Sequence, residues 1–191
     1  LWRAGVAAAA QTGGFRVSND RAGIAVGPDL TAADPVVAVG DLVKADMGVA
    51  IDGYLSDGTR TYAAGEPPAA AQRIYSVLEE AFQAGLAQFK PGEPMGAVHA
   101  AVLATTRRLG MTDYYRGHFG HSIGASCGSE EWPFISADNL EPMLPGMMMA
   151  FETPVYIQGL GAMMIEDQVL VTETGAQTIN ALPRALQVLP V

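Results

Sequence analysis

The 191-residue chain is 49% hydrophobic and 16% charged, a balance that suits one domain with a sizeable core. Its net charge of −9 comes without a basic patch, which argues against a nucleic-acid partner. No apolar run approaches the ~18 residues of a membrane span, and the single cysteine, Cys127, excludes an intrachain disulfide.

In chain order, alanine-rich Leu1–Gln11 is helical by propensity and is ended by Thr12-Gly13-Gly14. The start at Leu1, without Met and inside an expected helix, reads as a piece of a longer polypeptide. Phe15–Val26 is mixed, with strand character at Gly23–Val26, and Pro28–Pro35 is a loop. Gly40–Tyr62 reads as two strands joined at Asp52-Gly53, a strong hairpin turn signal. After the break at Gly65–Pro68, Ala69–Phe89 carries apolar residues at helical spacing (Ile74, Val77, Leu78, Ala81, Phe82, Leu86). A second helix is expected over Met95–Leu109, with Gly110 as its cap. Thr112–Asn139 reads as irregular and glycine-rich, and holds His118 and His121. Pro145-Gly146 opens a second hairpin, which Thr172–Gly175 closes, and Ala185–Val191 is a short apolar tail. Helices together with two hairpins point to an α+β fold with an antiparallel sheet. A faint internal repeat supports a duplicated half: Asp46 follows Gly40 by six residues, and Glu152 follows Gly146 by six.

The hairpins bring acids together. A two-residue turn at Asp52-Gly53 sets Asp46 opposite Thr59 and makes Asp57 the diagonal neighbour of Asp46, roughly 7–8 Å away at Cα on the same face. In the second hairpin Glu152 and Glu166 are symmetric about Gly159. They are therefore expected directly opposite each other, with Cβ atoms ~4.5–5.5 Å apart. The flanking MMMAF and AMMI segments predict burial, and buried carboxylates need protons or cations. Only Lys44 and Arg60 lie near these acids in sequence, and no Lys or Arg lies between Arg116 and Arg184. Glu152 and Glu166 are thus expected to lack a local cation. The bland alternative, solvent-facing acids, suits any one of the four better than it suits the set. Four carboxylates with a neutral imidazole match two divalent ions in charge, and the oxygen-rich set suits Mn²⁺, Co²⁺, Fe²⁺ or Zn²⁺. His121 is the expected imidazole, His99 is read as structural, Cys127 as a poor nucleophile, and Asp167 as a supporting or surface acid.

DMGVAIDGYLSDGTRTY, GHSIG, FETPVY and MIEDQVLVTETG resemble, in order, the metal-binding segments of the pita-bread metallopeptidases. That family includes methionine aminopeptidase, aminopeptidase P, prolidase and creatinase-like proteins. The resemblance covers roughly residues 36–180, and TRTY with the long middle helix is closer to the prolidase and aminopeptidase P branch. It implies a pita-bread catalytic domain over residues 1–191, with pseudo-twofold symmetry and an N-terminal domain on the longer chain. It implies two metal ions, Mn²⁺ or Co²⁺ before Zn²⁺ or Fe²⁺, on Asp46, Asp57, His121, Glu152 and Glu166. Glu152 would help deprotonate a bridging water, and the substrate would be a small peptide. A homodimer is what the family suggests, and the lone cysteine fits a reducing, cytoplasmic compartment.

Three departures stand out: Gly128 where the family has a histidine seven residues after the ligand histidine, no histidine before His99, and Met164 where proline-specific members have Arg. His118 is the candidate to take over one histidine role in catalysis or substrate binding, and Glu130, Glu131 and Trp132 are candidates to line the substrate site. The resulting expectation is a metal-dependent Xaa-Pro dipeptidase or aminopeptidase. The alternatives are a pita-bread binding module without turnover, or a creatinase-like hydrolase of a non-peptide C–N bond.

Overall fold

The computed structural model describes residues 17–125 and 130–190. The helix expected at Leu1–Gln11, and the positions Cys127 and Gly128, lie outside them. Among the described residues twelve strands run in chain order: β1 Val17–Val26, β2 Leu42–Ile51, β3 Tyr54–Leu55, β4 Gly58–Ala64, β5 His118–Ser122, β6 Glu131–Ser136, β7 Met148–Glu152, β8 Val155–Ile157, β9 Gly161–Met163, β10 Glu166–Val171, β11 Ala176–Thr178 and β12 Gln187–Leu189. Two helices, α1 Ala69–Leu86 and α2 Met95–Arg108, lie between β4 and β5.

The main sheet has the order β1-β2-β4-β10-β7-β5-β6, with β3, β11 and β12 attached to β2, β10 and β4. All its pairings are antiparallel except that of β12 with β4. The α+β expectation therefore holds. Both hairpin registers also hold: Asp46 pairs with Thr59 and Glu152 with Glu166. The first register is set by its turn, where Asp52 and Gly53 take φ of 50° and 88°. Left-handed values at both central residues match the twist of the flanking strands. The two hairpins meet back to back at the single pair Glu166–Thr59. The order β1-β2-β4 on one side is mirrored by β5-β7-β10 on the other, the layout a duplicated half would give.

Several expectations are corrected. The second hairpin is broken after Glu152: β8 and β9 keep its register but form a separate two-stranded sheet. The strand character at Gly23–Val26 extends back to Val17, because β1 pairs along the length of β2. The stretch read as irregular holds β5 and β6. Its glycines hide the strand pattern, yet they serve it. Gly120 has φ 140°, and a Cβ there would collide with the Ala150 carbonyl of the neighbouring strand, so only glycine lets β5 lie this close to β7.

The helices cover one face. Tyr75, Leu78, Phe82 and Gly85 of α1 and Val98, Val102 and Leu103 of α2 are buried, at the spacing that makes one helical stripe. Phe151 of β7 packs between Phe82 and Phe89, with ring centroids at 4.5 and 5.3 Å. Because side chains alternate along a strand, placing Met149 and Phe151 in this core turns Ala150 and Glu152 to the other face.

Candidate metal centre

The strand register decides which side chains share that other face. Glu166 lies opposite Glu152, and His121 of β5 lies opposite Ala150. Thr59 lies opposite both Glu166 and Asp46. Asp57, two residues before Thr59, points the same way. All five expected ligands therefore stand on one surface, and all but Asp46 are buried.

They are not equally close. One ligand atom from each of Asp57, His121 and Glu166 lies within 4.8 Å of the other two. His121 Nε2 is 3.8 Å from Asp57 Oδ2, and His121 Nδ1 is 2.9 Å from the Ser122 carbonyl. A carbonyl only accepts, so Nδ1 carries the proton and Nε2 keeps its lone pair towards the acids, the tautomer a metal ligand needs. Thr59 Oγ1 donates to Glu166 Oε2 at 2.7 Å. Burial, then the charges of Asp57, Glu152 and Asp46, push the Glu166 carboxyl well above the usual range despite that hydrogen bond.

Asp46 and Glu152 instead carry cations. Lys44 Nζ is 3.1 Å from Asp46 Oδ2. Burial works against the Lys44 charge, but Asp46 and Tyr156 together outweigh it and raise the ammonium pKa. Arg116 Nη2 donates to Glu152 Oε1 at 2.8 Å. The expectation that Glu152 lacks a local cation is thus corrected: the cation lies 36 residues away in sequence and is brought in by the loop before β5. Arg116 is held in turn, its Nε donating to the His118 carbonyl and its own carbonyl accepting from His99 Nε2. His99 is structural, as expected, and buried against Phe119. Asp167 is neither exposed nor on this face. It is fully buried between Arg60 and Arg184, each at 2.6 Å, on the opposite side of β10.

His118 stands at the rim. Its Nδ1 accepts from the Gly120 N–H at 3.3 Å and lies 3.7 Å from Glu152 Oε1, while Nε2 is 3.6 Å from Glu130 Oε2. Burial lowers its pKa, with Arg116 adding to the effect against the pull of Glu152. Trp132 is 58% exposed, with Nε1 bonded to Glu141, and Glu131 is half-buried beside it on β6. Three side chains partner the acids, and of these sequence reasoning missed Arg116. Thr59 was legible as the register partner of Asp46, and Lys44 as its same-face neighbour two residues back; Arg116 left no local signal.

The donor set fits divalent ions. It is oxygen-rich with one correctly oriented imidazole, and Glu166 is crowded by like charge that a cation would neutralise.

Over residues 8–173 the chain matches the profile of metallopeptidase family M24. It is 38% identical over 160 residues to the probable dipeptidase PepE of Mycobacterium bovis, covering 83% of this chain and 42% of that protein. It is 33% identical over 159 residues to the Xaa-Pro dipeptidase of Pyrococcus furiosus, covering 83% and 45%. The crystal structure of dipeptidase PepE from Mycobacterium ulcerans superposes with a TM-score of 0.85 at 34% identity, over 98% of this chain and 52% of that one. The chain therefore spans about half the length of the relatives it matches, and has their pita-bread fold. A match along most of the chain, joined to these relatives, makes it a member of metallopeptidase family M24, on the prolidase-like branch.

Proposed function

We propose that the whole protein is a metal-dependent peptidase that cleaves Xaa-Pro or related dipeptide and N-terminal peptide bonds by attack of water. Asp46, Asp57, His121, Glu152 and Glu166 are the residues that would hold two divalent ions, Mn²⁺ or Co²⁺ first and Zn²⁺ or Fe²⁺ after them. Such ions supply Lewis acidity and a nucleophilic water at neutral pH. Glu152 would be the base that takes up a proton from the attacking water: Arg116 fixes its Oε1 end and leaves the second carboxylate oxygen for that role. His118 is the substrate-facing histidine. With Nδ1 accepting from Gly120, its proton sits on Nε2, at the rim beside Glu130, where it can donate to a peptide carbonyl. Glu131 and Trp132 form the outer wall. Residues 1–191, which span about half the length of the matched relatives, would form the catalytic domain, acting on small peptides as a cytoplasmic homodimer.

The observation that carries this reading is the convergence of Asp57, His121 and Glu166, from three separate segments, to within 4.8 Å on a buried surface. The test is metal analysis of the full-length protein with a dipeptide panel, Xaa-Pro against Xaa-Ala, with and without added Mn²⁺ or Co²⁺. Turnover of Xaa-Pro that depends on metal is expected. Bound metal without turnover of any dipeptide would instead favour the binding-module reading. A preference for Xaa-Ala would remove the proline assignment, the point at which Met164 departs from the family pattern. His118→Ala is expected to weaken turnover or substrate affinity; unchanged kinetics would remove its substrate role.

A further inference from the structure

The metal-bearing face runs on into a cavity. Gln168 of β10 lies opposite Ala150 of β7, and Ala150 lies opposite His121 of β5. These three residues make one row across the sheet. In the next row Met148, two residues before Ala150, meets Ile123, two residues after His121, through a hydrogen bond of 3.1 Å from the Ile123 N–H to the Met148 carbonyl. Alternation along the strand keeps Met148 on the face of Ala150 and Glu152. Leu55, two residues before Asp57, closes the far wall, its N–H donating to the Gly124 carbonyl at 3.0 Å. With Val49 and Ile179 these side chains enclose a cavity of about 520 Å³.

The walls are largely apolar. Ser56 borders the cavity, but its hydroxyl is bonded to the Val49 backbone in both directions. The Gln168 backbone is likewise occupied, by Asn180 and Ile179. The Gln168 side chain is different: the residue is 8% exposed, it borders the cavity, and its amide has no hydrogen-bond partner among the described residues. Leaving a buried amide unpaired is costly, so this group marks where the polar atoms of a ligand fit. No Lys, Arg, Asp or Glu lines the cavity, so the matching ligand is neutral there. An apolar cavity of this size with one placed polar group is the usual make-up of a small-ligand site. Two residues of strand span about 6.6–6.8 Å, so the cavity opens within about two peptide residues of His121 and Glu166. Resting on the peptidase reading above, we propose that this cavity receives a bulky apolar residue of the bound peptide and that Gln168 holds the backbone amide of that residue. A carboxamide carries both donor and acceptor, as the peptide group does. Gln168 is in this role a specificity-determining residue.

The test is a ligand-observed NMR titration of the chelator-stripped, full-length protein with N-acetyl-leucinamide. This probe has an apolar side chain between two amides, and no free amine or carboxylate. Wild type is expected to bind it at least about tenfold more tightly than N-acetyl-glycinamide. Gln168→Met, similar in length but without the amide, is expected to weaken the leucine probe about tenfold. Ile179→Trp, at a half-exposed wall position, is expected to fill the cavity and abolish binding, which keeps the test sound should the Gln168 variant fold poorly. In turnover assays of the metal-loaded protein the probe is expected to raise KM at unchanged kcat; a fall in kcat alone overturns the assignment to a substrate residue. Equal binding of the two probes, or binding unchanged in both variants, overturns the proposal and leaves the peptidase reading to its dipeptide panel. Binding that follows both variants in a protein that turns over no dipeptide upholds the cavity as a site for an apolar amide and overturns the peptidase reading instead.

Discussion

Glu166 and Asp167 are adjacent on β10 and both buried, yet they have opposite surroundings. Glu166 faces Asp57, Glu152 and His121, and its Oε2 accepts a hydrogen bond from the Thr59 hydroxyl. Asp167 faces the helix side and is gripped by Arg60 and Arg184. Arg60 also donates to the Glu166, Thr59 and Leu182 carbonyls, so the Asp167 side fastens the joint between the two hairpins to the C-terminal tail. One acid leaves its charge for a ligand to neutralise; its neighbour has its charge neutralised by the fold. Strand alternation alone separates a candidate metal ligand from a structural clamp.

The sharpest way to break this comparison is Asp167→Ala. It leaves two guanidinium groups without their shared anion, and breaking a buried pair costs about 3–5 kcal/mol. A fall in the urea midpoint at unchanged slope is the expected signal, and a loss below about 1 kcal/mol would dissolve the clamp. Next comes Glu166→Gln. In wild type, Mn²⁺ at about 100 times its Kd is expected to add about 2.7 kcal/mol of stability, read as a rise in Tm. In the variant most of that gain disappears, while the chelator-treated protein is no less stable than wild type.

A third test is pH. The folded-state pKa of Glu166 is raised from 4.5, so the folded state binds the proton more tightly than the unfolded state. The resulting stability is present below the unfolded value and lost as pH rises through the folded one. Metal-free wild type should therefore lose stability over that rise, and Glu166→Gln should flatten it. Equal pH slopes in both proteins would contradict the crowding of Glu166. The smallest effect is expected from Thr59→Val, which removes one hydrogen bond to Glu166 Oε2. A loss of about 1 kcal/mol is expected, checked by chemical denaturation with chelator present.

The amino-acid sequence by itself determined the two hairpins and their registers. Asp52-Gly53 permits a tight left-handed turn, and a turn of known length assigns every partner along both strands. It likewise determined the helices, whose buried stripes recur at the spacing of one turn, and the identity of the acids that share a face. It did not reveal β5, because glycine carries no side chain to alternate, nor the side of β10 on which Asp167 is clamped. Only the tertiary structure decided the charge balance of the site. Arg116 reaches Glu152 across 36 residues, and Arg60 turns away from the acids to Asp167. Local pattern fixes which face a side chain takes, but ion pairs depend on distances between segments far apart in the chain, which packing alone sets.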